Sequence, residues 1–263
     1  MHVAALYRYP VKGFDREACA SLRVLPGGRV AGDRVLSLRL AGTPAADDAW
    51  ASKMDGVALV NTPGLAPLRV RFDHAACHLQ VRHDDRLLFD GALDAAGRAR
   101  FVDEMTRYLQ GLETSAVAAH PERLPLRLVG DGVTPRYQDR PPGYVSLHAR
   151  SSVAEVANAL GESPDLAERR FRSNIALDGL EAWADQDLVG RRLRIGPVEL
   201  AVEKPVVRCL ATHANPATGE RDRTVLQTLL ALRPRDERPT FAVLMTSVEG
   251  GELRVGDEVV VLA

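Results

Sequence analysis

Apolar residues in this chain come in many short runs broken by turn residues, a pattern that suits a sheet-rich fold and excludes a bundle of long helices. Residues 2–9 read as an opening strand. Residues 33–40 (DRVLSLRL) alternate apolar and polar side chains at the period of a half-buried strand. Segments 66–72 and 77–82 make a pair joined by a short polar turn, and further strands are expected at 126–129, 174–177, 192–195, 198–203, 241–246 and 252–262. Helical spacing is rarer. Phe101, Val102, Met105, Tyr108, Leu109 and Leu112 fall on one face of a helix over 98–112. Ser152 stands three residues before Glu155, a capping-box spacing, ahead of Val153, Val156, Ala157 and Leu160, with Gly161 as a stop. A third helix is expected over 223–233. The fold class is therefore β-rich α+β, barrel-like β architecture with a few peripheral helices.

The stretch 120–143 changes character: it holds Pro121, Pro125, Pro135, Pro141 and Pro142. A long surface loop or a junction between two domains fits it. With 263 residues the chain can form one large domain or two modest ones, and the expected division is 1–120 and 121–263.

Charge and cysteine content narrow the function. Lys and Arg total 34 against 35 Asp and Glu, a formal net charge of −1, which argues against a general nucleic-acid binder. No apolar run approaches the roughly 18 residues a membrane helix needs. The first residues lack the charged-then-apolar layout of a signal peptide, so a soluble cytoplasmic protein is expected. Cys19, Cys77 and Cys209 are odd in number and far apart, which speaks against a disulfide framework, a structural zinc ribbon or an all-cysteine iron–sulfur cluster.

Of the three, Cys209 is the one placed for chemistry. It follows Arg208 directly and Lys204 by five positions in EKPVVRC, and neighbouring cations stabilise the thiolate that attacks or binds metal. The competing reading is a buried cysteine packed as a small apolar residue. His213, four positions on, invites a Cys–His pairing for which no third ligand is evident. Lys12-Gly13 after the first strand, Gly27-Gly28 ahead of Asp33-Arg34, and Arg172 before Asn174 put basic residues at strand ends, where they either hold a phosphate or remain solvated. Neither nucleotide-binding glycine motif is present. His74, His78 and His83 flank a hairpin and read as surface histidines rather than a metal tract. Phe171 and Trp183 read as core anchors.

Taken together, LYRYPVKGF at 6–14, GDRVLSL at 32–38, RFRSNIALDGLEAWADQDLVGRRLRIG at 170–196 and KPVVRCLATHANPATGERD at 204–222 resemble the MOSC family, named after the C-terminal domain of molybdenum cofactor sulfurase. The resemblance runs over nearly the whole chain. It is greatest to two-part members with an N-terminal β-barrel domain ahead of a MOSC β-barrel, a group that includes the mitochondrial amidoxime-reducing component and bacterial relatives. It implies a molybdenum cofactor (molybdopterin) bound between the two units, with Cys209 as the metal ligand and catalytic residue. Lys12, Arg34, Arg172 and Asn174 match family positions that contact the cofactor; Lys53 and Ser152 are looser matches, and Arg208 adds a cation beside the thiol. Two departures stand out. Gly13 replaces the serine of YPVKS, and Ala214-Asn215-Pro216 replaces VDP, so a carboxylate that would relay protons becomes an amide that cannot titrate.

The activity so implied is reduction of N-hydroxylated or N-oxidised small molecules, with electrons from a separate electron-transfer protein and neither nucleic acid nor membrane as partner. A non-catalytic carrier of the cofactor or of sulfur, with a persulfide on Cys209, is the alternative. A plain β-barrel binding module with a buried Cys209 is the third reading.

Overall fold

The computed structural model describes residues 1–262. Along the chain run β1 (His2–Arg8), β2 (Glu17–Cys19), β3 (Ser21–Val24), β4 (Ser37–Arg39), β5 (Leu68–Asp73), β6 (His78–His83), β7 (Arg86–Ala92), α1 (Ala95–Gln110), β8 (Arg127–Val129) and β9 (Val145–Ala149). Then come α2 (Arg150–Leu160), α3 (Pro164–Phe171), β10 (Ile175–Asp178), β11 (Arg192–Ile195), β12 (Val198–Val207), α4 (Val225–Leu232), β13 (Thr240–Thr246), β14 (Gly251–Arg254) and β15 (Val259–Leu262). The β-rich α+β class is what the chain adopts.

The main sheet has eight strands in the order β15-β11-β12-β13-β9-β10-β1-β2, antiparallel except for the β9–β10 pair. Its apolar face closes over Leu147, Ile175, Leu193, Leu200 and Val243. The N-terminal strand belongs to this sheet: Val3 pairs with Leu177 and Leu6 with Ile175 of β10. A second core lies under the β5–β6–β7 hairpin sheet. There Leu68, Val70 and Phe72 are buried and alternate with exposed Arg69, Arg71 and Asp73, as period-two patterning requires. Helix α1 lays Phe101, Met105 and Leu109, spaced four apart, onto that core, and Asp94 caps its first turn by accepting from the Gly97 amide at 2.7 Å. A third cluster joins the helices to the sheet, with the Phe171 and Phe241 rings stacked at 3.7 Å between centroids and Trp183 edge-on to Phe241.

Several expectations need correction. The segment 33–40 yields only the three residues of β4, buried on both faces; Asp33 and Arg34 form a turn with Arg34 at φ +52°. A pattern that looked half-exposed misled because Ser37 and Arg39 are buried polar residues, Arg39 donating to the Ala45 and Ala46 carbonyls. The capping-box reading also fails: α2 starts at Arg150, so Ser152 lies inside it, and Glu155 accepts from the Trp183 indole at 2.6 Å. Gly161 does end α2, in the left-handed conformation. Segment 252–262 divides into β14 and β15. Strands β2, β3, β7 and β9 and helix α3 lie outside the expected elements, although Ser163 caps α3 with Pro164 at its first position.

Candidate functional site

A cavity of about 500 Å3 opens between the two cores. Strand β12 delivers its chemistry. The pairing of β12 with β13 shifts register between Pro205 and Val207, a bulge that re-aims the strand end just before Arg208 and Cys209. Cys209 is half-buried and lines the cavity, and Lys53, arriving from the other half of the chain, donates to its Sγ from 3.5 Å. Arg208 is held by its Nε to the Phe241 carbonyl (3.0 Å) and its Nη1 to the Phe171 carbonyl (2.9 Å), against the stacked rings.

The other cations come from two turns and one strand end. Arg34 and Arg172 both adopt left-handed backbone, at φ +52° and +56°, a conformation usually left to glycine. Arg172 occupies it at the C-terminal end of α3. Long cationic side chains in that conformation imply that the side chain is needed where the turn places it. Their guanidinium groups lie over Tyr9, at 4.9 Å for Arg34 and 4.3 Å for Arg172. Arg34 is paired with buried Asp33, which also accepts from the Tyr9 amide at 2.8 Å. Lys12 follows β1 and meets Asp139 at 3.3 Å.

This crowding leaves its mark on the titrating groups. Burial pulls Lys12 below its ordinary value, and Arg34 and Lys53 add to the effect while Asp139 opposes it. Burial likewise lowers Arg172 and takes Arg208 down to about 10, so Arg208 remains charged at neutral pH. Neither is fully paired: Arg172 Nη2 and Arg208 Nη2 are both buried and without a partner, although each residue lines the cavity. Two cavity-lining guanidinium groups, each with a donor left unmatched, fit an anion or an acceptor-rich ligand.

Lys12, Arg34, Lys53, Arg172, Asn174, Arg208 and Cys209 thus share one cavity. Ser152 does not. It sits in α2, where its hydroxyl accepts from the Trp183 amide (2.8 Å) and meets Asp185 (3.3 Å). Ser152→Ala is therefore expected to lower stability by about 1–3 kcal/mol, leaving a buried donor unmatched, without weakening ligand binding in the cavity; paired urea melts and binding titrations check this. Asn174 lines the cavity, but its amide is already used. It accepts from the Ser146 amide and hydroxyl and donates to Tyr7 O (3.1 Å) and Asp33 (3.4 Å), tying the Arg34 turn to the sheet.

His213 is absent from the cavity lining: its Nε2 accepts from the Leu226 amide in the first turn of α4, and burial lowers its pKa. Asn215 lies outside the cavity lining; its Oδ1 accepts from the Ala217 amide at 2.8 Å and its Nδ2 donates to Asp222 at 2.6 Å. A carboxylate at 215 would face Asp222, so the neutral amide suits its place in this fold. His74, His78 and His83 are separately engaged, with the Gly132 carbonyl, Asp90 and the Tyr108 ring. No group of three or more His, Cys, Asp or Glu placed to hold a metal occurs among the described residues. Sequence reasoning missed Gln138 and Asp139, which line the cavity from the proline-rich stretch. The cluster of prolines was the available signal, since it holds a strap in place as well as it marks a junction.

Residues 137–260 match the family model described as MOSC domain. It is 35% identical over 116 residues to the molybdenum cofactor sulfurase of Drosophila pseudoobscura pseudoobscura and 33% over 114 residues to that of Drosophila ananassae, in each case over 43% of this chain. The chain spans 14% of the length of these relatives. Among solved structures it is similar to the YUAD protein from Bacillus subtilis, with 11% identity, TM-score 0.40 and coverage of 98% of this chain and 93% of that one. YiiM from Escherichia coli aligns with 16% identity, TM-score 0.34 and coverage of 50% and 58%. No helix among the described residues is long and apolar enough to cross a membrane.

Proposed function

We propose that this protein binds a molybdopterin-type molybdenum cofactor in the cavity and uses it to reduce N-hydroxylated or N-oxidised small molecules. The observation that carries this reading is the convergence of a half-buried cysteine with two unmatched buried guanidinium donors and three further cations. Cys209 would ligate the metal, thiolate being a soft ligand suited to it. Arg172 and Arg208, with Lys12, Arg34 and Lys53, would hold the phosphate and the acceptor edges of the pterin. The family match and the sulfurase relatives support a link to this cofactor.

The bound cofactor would supply two-electron oxygen-atom chemistry. The net change, R–NHOH with two electrons and two protons giving R–NH2 and water, needs a donor, which we assign to a separate electron-transfer protein. The chain's own contribution is positional. Arg208 and the Phe171–Phe241 stack fix the floor, Lys53 sits beside the sulfur, and the Tyr9 ring keeps Arg34 and Arg172 aligned. Protein purified from a molybdopterin-competent host is expected to contain molybdenum and pterin in near-equal amounts. Elemental analysis and pterin fluorescence that find neither would end the proposal.

The partial match to sulfurases favours a second reading, a carrier holding a persulfide on half-exposed Cys209. Intact-protein mass spectrometry separates the two: a gain of one sulfur atom on Cys209 in metal-free protein supports the carrier.

A further inference from the structure

The cationic end of the cavity already contains an anion of the protein's own. Among the described residues Asp139 is the one carboxylate lining the cavity, and it meets Lys12 Nζ at 3.3 Å. The two partners are seated differently. The Lys12 side chain is 11% exposed and built into the wall, whereas the Asp139 side chain is 63% exposed and reaches in from the solvent side. Although the side chain itself is exposed, the protein crowded around it works against ionisation of Asp139; Lys12, Arg34 and Lys53 overcome this and keep the carboxyl below the usual range.

The segment that carries Asp139, residues 138–142, is a strap along the cavity wall, held largely through its main chain. The Trp50 indole donates to Gln138 O at 3.2 Å and Arg29 Nη2 to Pro141 O at 2.6 Å, while Pro141 and Pro142 stiffen its far end. Next to Asp139, Gln138 is 8% exposed, lines the cavity and has neither its amide nitrogen nor its side-chain oxygen paired. A buried amide with all its capacity unused is a costly arrangement for a protein that binds nothing there. The strap therefore carries one group waiting for a partner and one already borrowing the ligand's.

We propose that Asp139 is an internal competitor for the anionic group of the cavity's ligand, displaced from Lys12 as that group enters, and that it sets which anions are taken up. A ligand anion must outbid a carboxylate for Lys12, so weakly charged anions are rejected and a phosphate dianion is accepted. The inference rests on the proposed function only in locating the anion site; it requires no metal.

Inorganic phosphate is the probe. Isothermal titration of the full chain is expected to give Asp139→Asn an affinity for phosphate about tenfold above wild type, roughly the gain from freeing one charged hydrogen-bond partner. Asp48→Asn, the same charge change on an exposed residue of the facing loop, is expected to change it less than twofold. Trp50 reports the strap directly, because the only other tryptophan, Trp183, is buried in the core. Phosphate should shift the fluorescence of wild type and leave Trp50→Phe silent. Equal phosphate affinities for wild type and Asp139→Asn, an equal gain in Asp48→Asn, or no binding by either wild type or Asp139→Asn would overturn the proposal. Phosphate behaviour as expected in protein that never acquires molybdenum would uphold it while removing the proposed function.

Discussion

Glu168→Gln is expected to lower the thermal midpoint by roughly 6–12 °C, the equivalent of about 3 kcal/mol in a chain of this size. Glu168 sits at the centre of a buried charge cluster beside the main sheet. Its Oε2 accepts from Tyr7 and from Arg16, each at 2.7 Å, and its Oε1 from His148 and Arg150, each at 3.2 Å. The carboxyl is only 6% exposed, so water screens these contacts weakly. Removing its charge leaves cations underpaired in a place where they cannot easily be hydrated. The loss stays at the low end of the 3–5 kcal/mol typical of a broken buried pair because Arg16 keeps Asp165 and Arg150 keeps Asp178.

The same cluster fixes an acid limit. Burial alone would push the Glu168 carboxyl up, but His148, Tyr7 and Arg16 outweigh it and hold it well below its ordinary value of 4.5. A carboxyl depressed in the folded state binds fewer protons than in the unfolded chain. Its stabilisation is therefore complete above about 4.5 and is lost progressively as pH falls below that value. Wild type should lose stability steeply on acidification in this range, and Glu168→Gln should show a flatter profile. Parallel slopes in denaturant melts from pH 6 to 3 would remove Glu168 as the cause.

Cys209→Ala is expected to abolish molybdenum content, from near one atom per chain to background, while changing stability by less than about 1 kcal/mol. The small structural effect follows from the half-buried position of the thiol, where truncation opens no sealed cavity. Cys19→Ala and Cys77→Ala, both remote from the cavity lining, should retain full metal. Pterin content read in parallel distinguishes loss of the metal ligand from loss of the whole group, since the cations that would hold the phosphate are untouched. Metal retained at wild-type level in the alanine variant would remove Cys209 from the ligand set.

Strand signals were legible because burial of one sheet face imposes period two, and β5, β6 and β11 follow it closely. What escaped was polar burial. Ser37 and Arg39 look solvent-facing in sequence yet lie inside, and Ser152 looks like a cap yet holds Trp183. The cations were legible individually, as Lys12, Arg34 and Arg172 beside glycines and strand ends. Their shared orientation was not, because it depends on left-handed turns and on Tyr9 as a common platform, which spacing does not encode. Asn174 shows the limit in the other direction. Residue type alone allowed its amide to face a ligand, but the Ser146 amide, the Tyr7 carbonyl and the Asp33 carboxylate claim it first. The free amide belongs to Gln138, in a stretch whose prolines concealed its place at the cavity.

The placement of β1 in the main sheet has a consequence for how the protein is made. Its partner β10 lies roughly 170 residues later, so on the ribosome the first strand waits about ten to thirty seconds for its neighbour to be translated. Throughout that interval Val3 and Leu6 have no core to enter, and an unpaired strand edge is open to any other nascent chain. The yield of soluble protein should therefore depend on translation speed and on chaperone supply more than the stability of the finished fold would indicate.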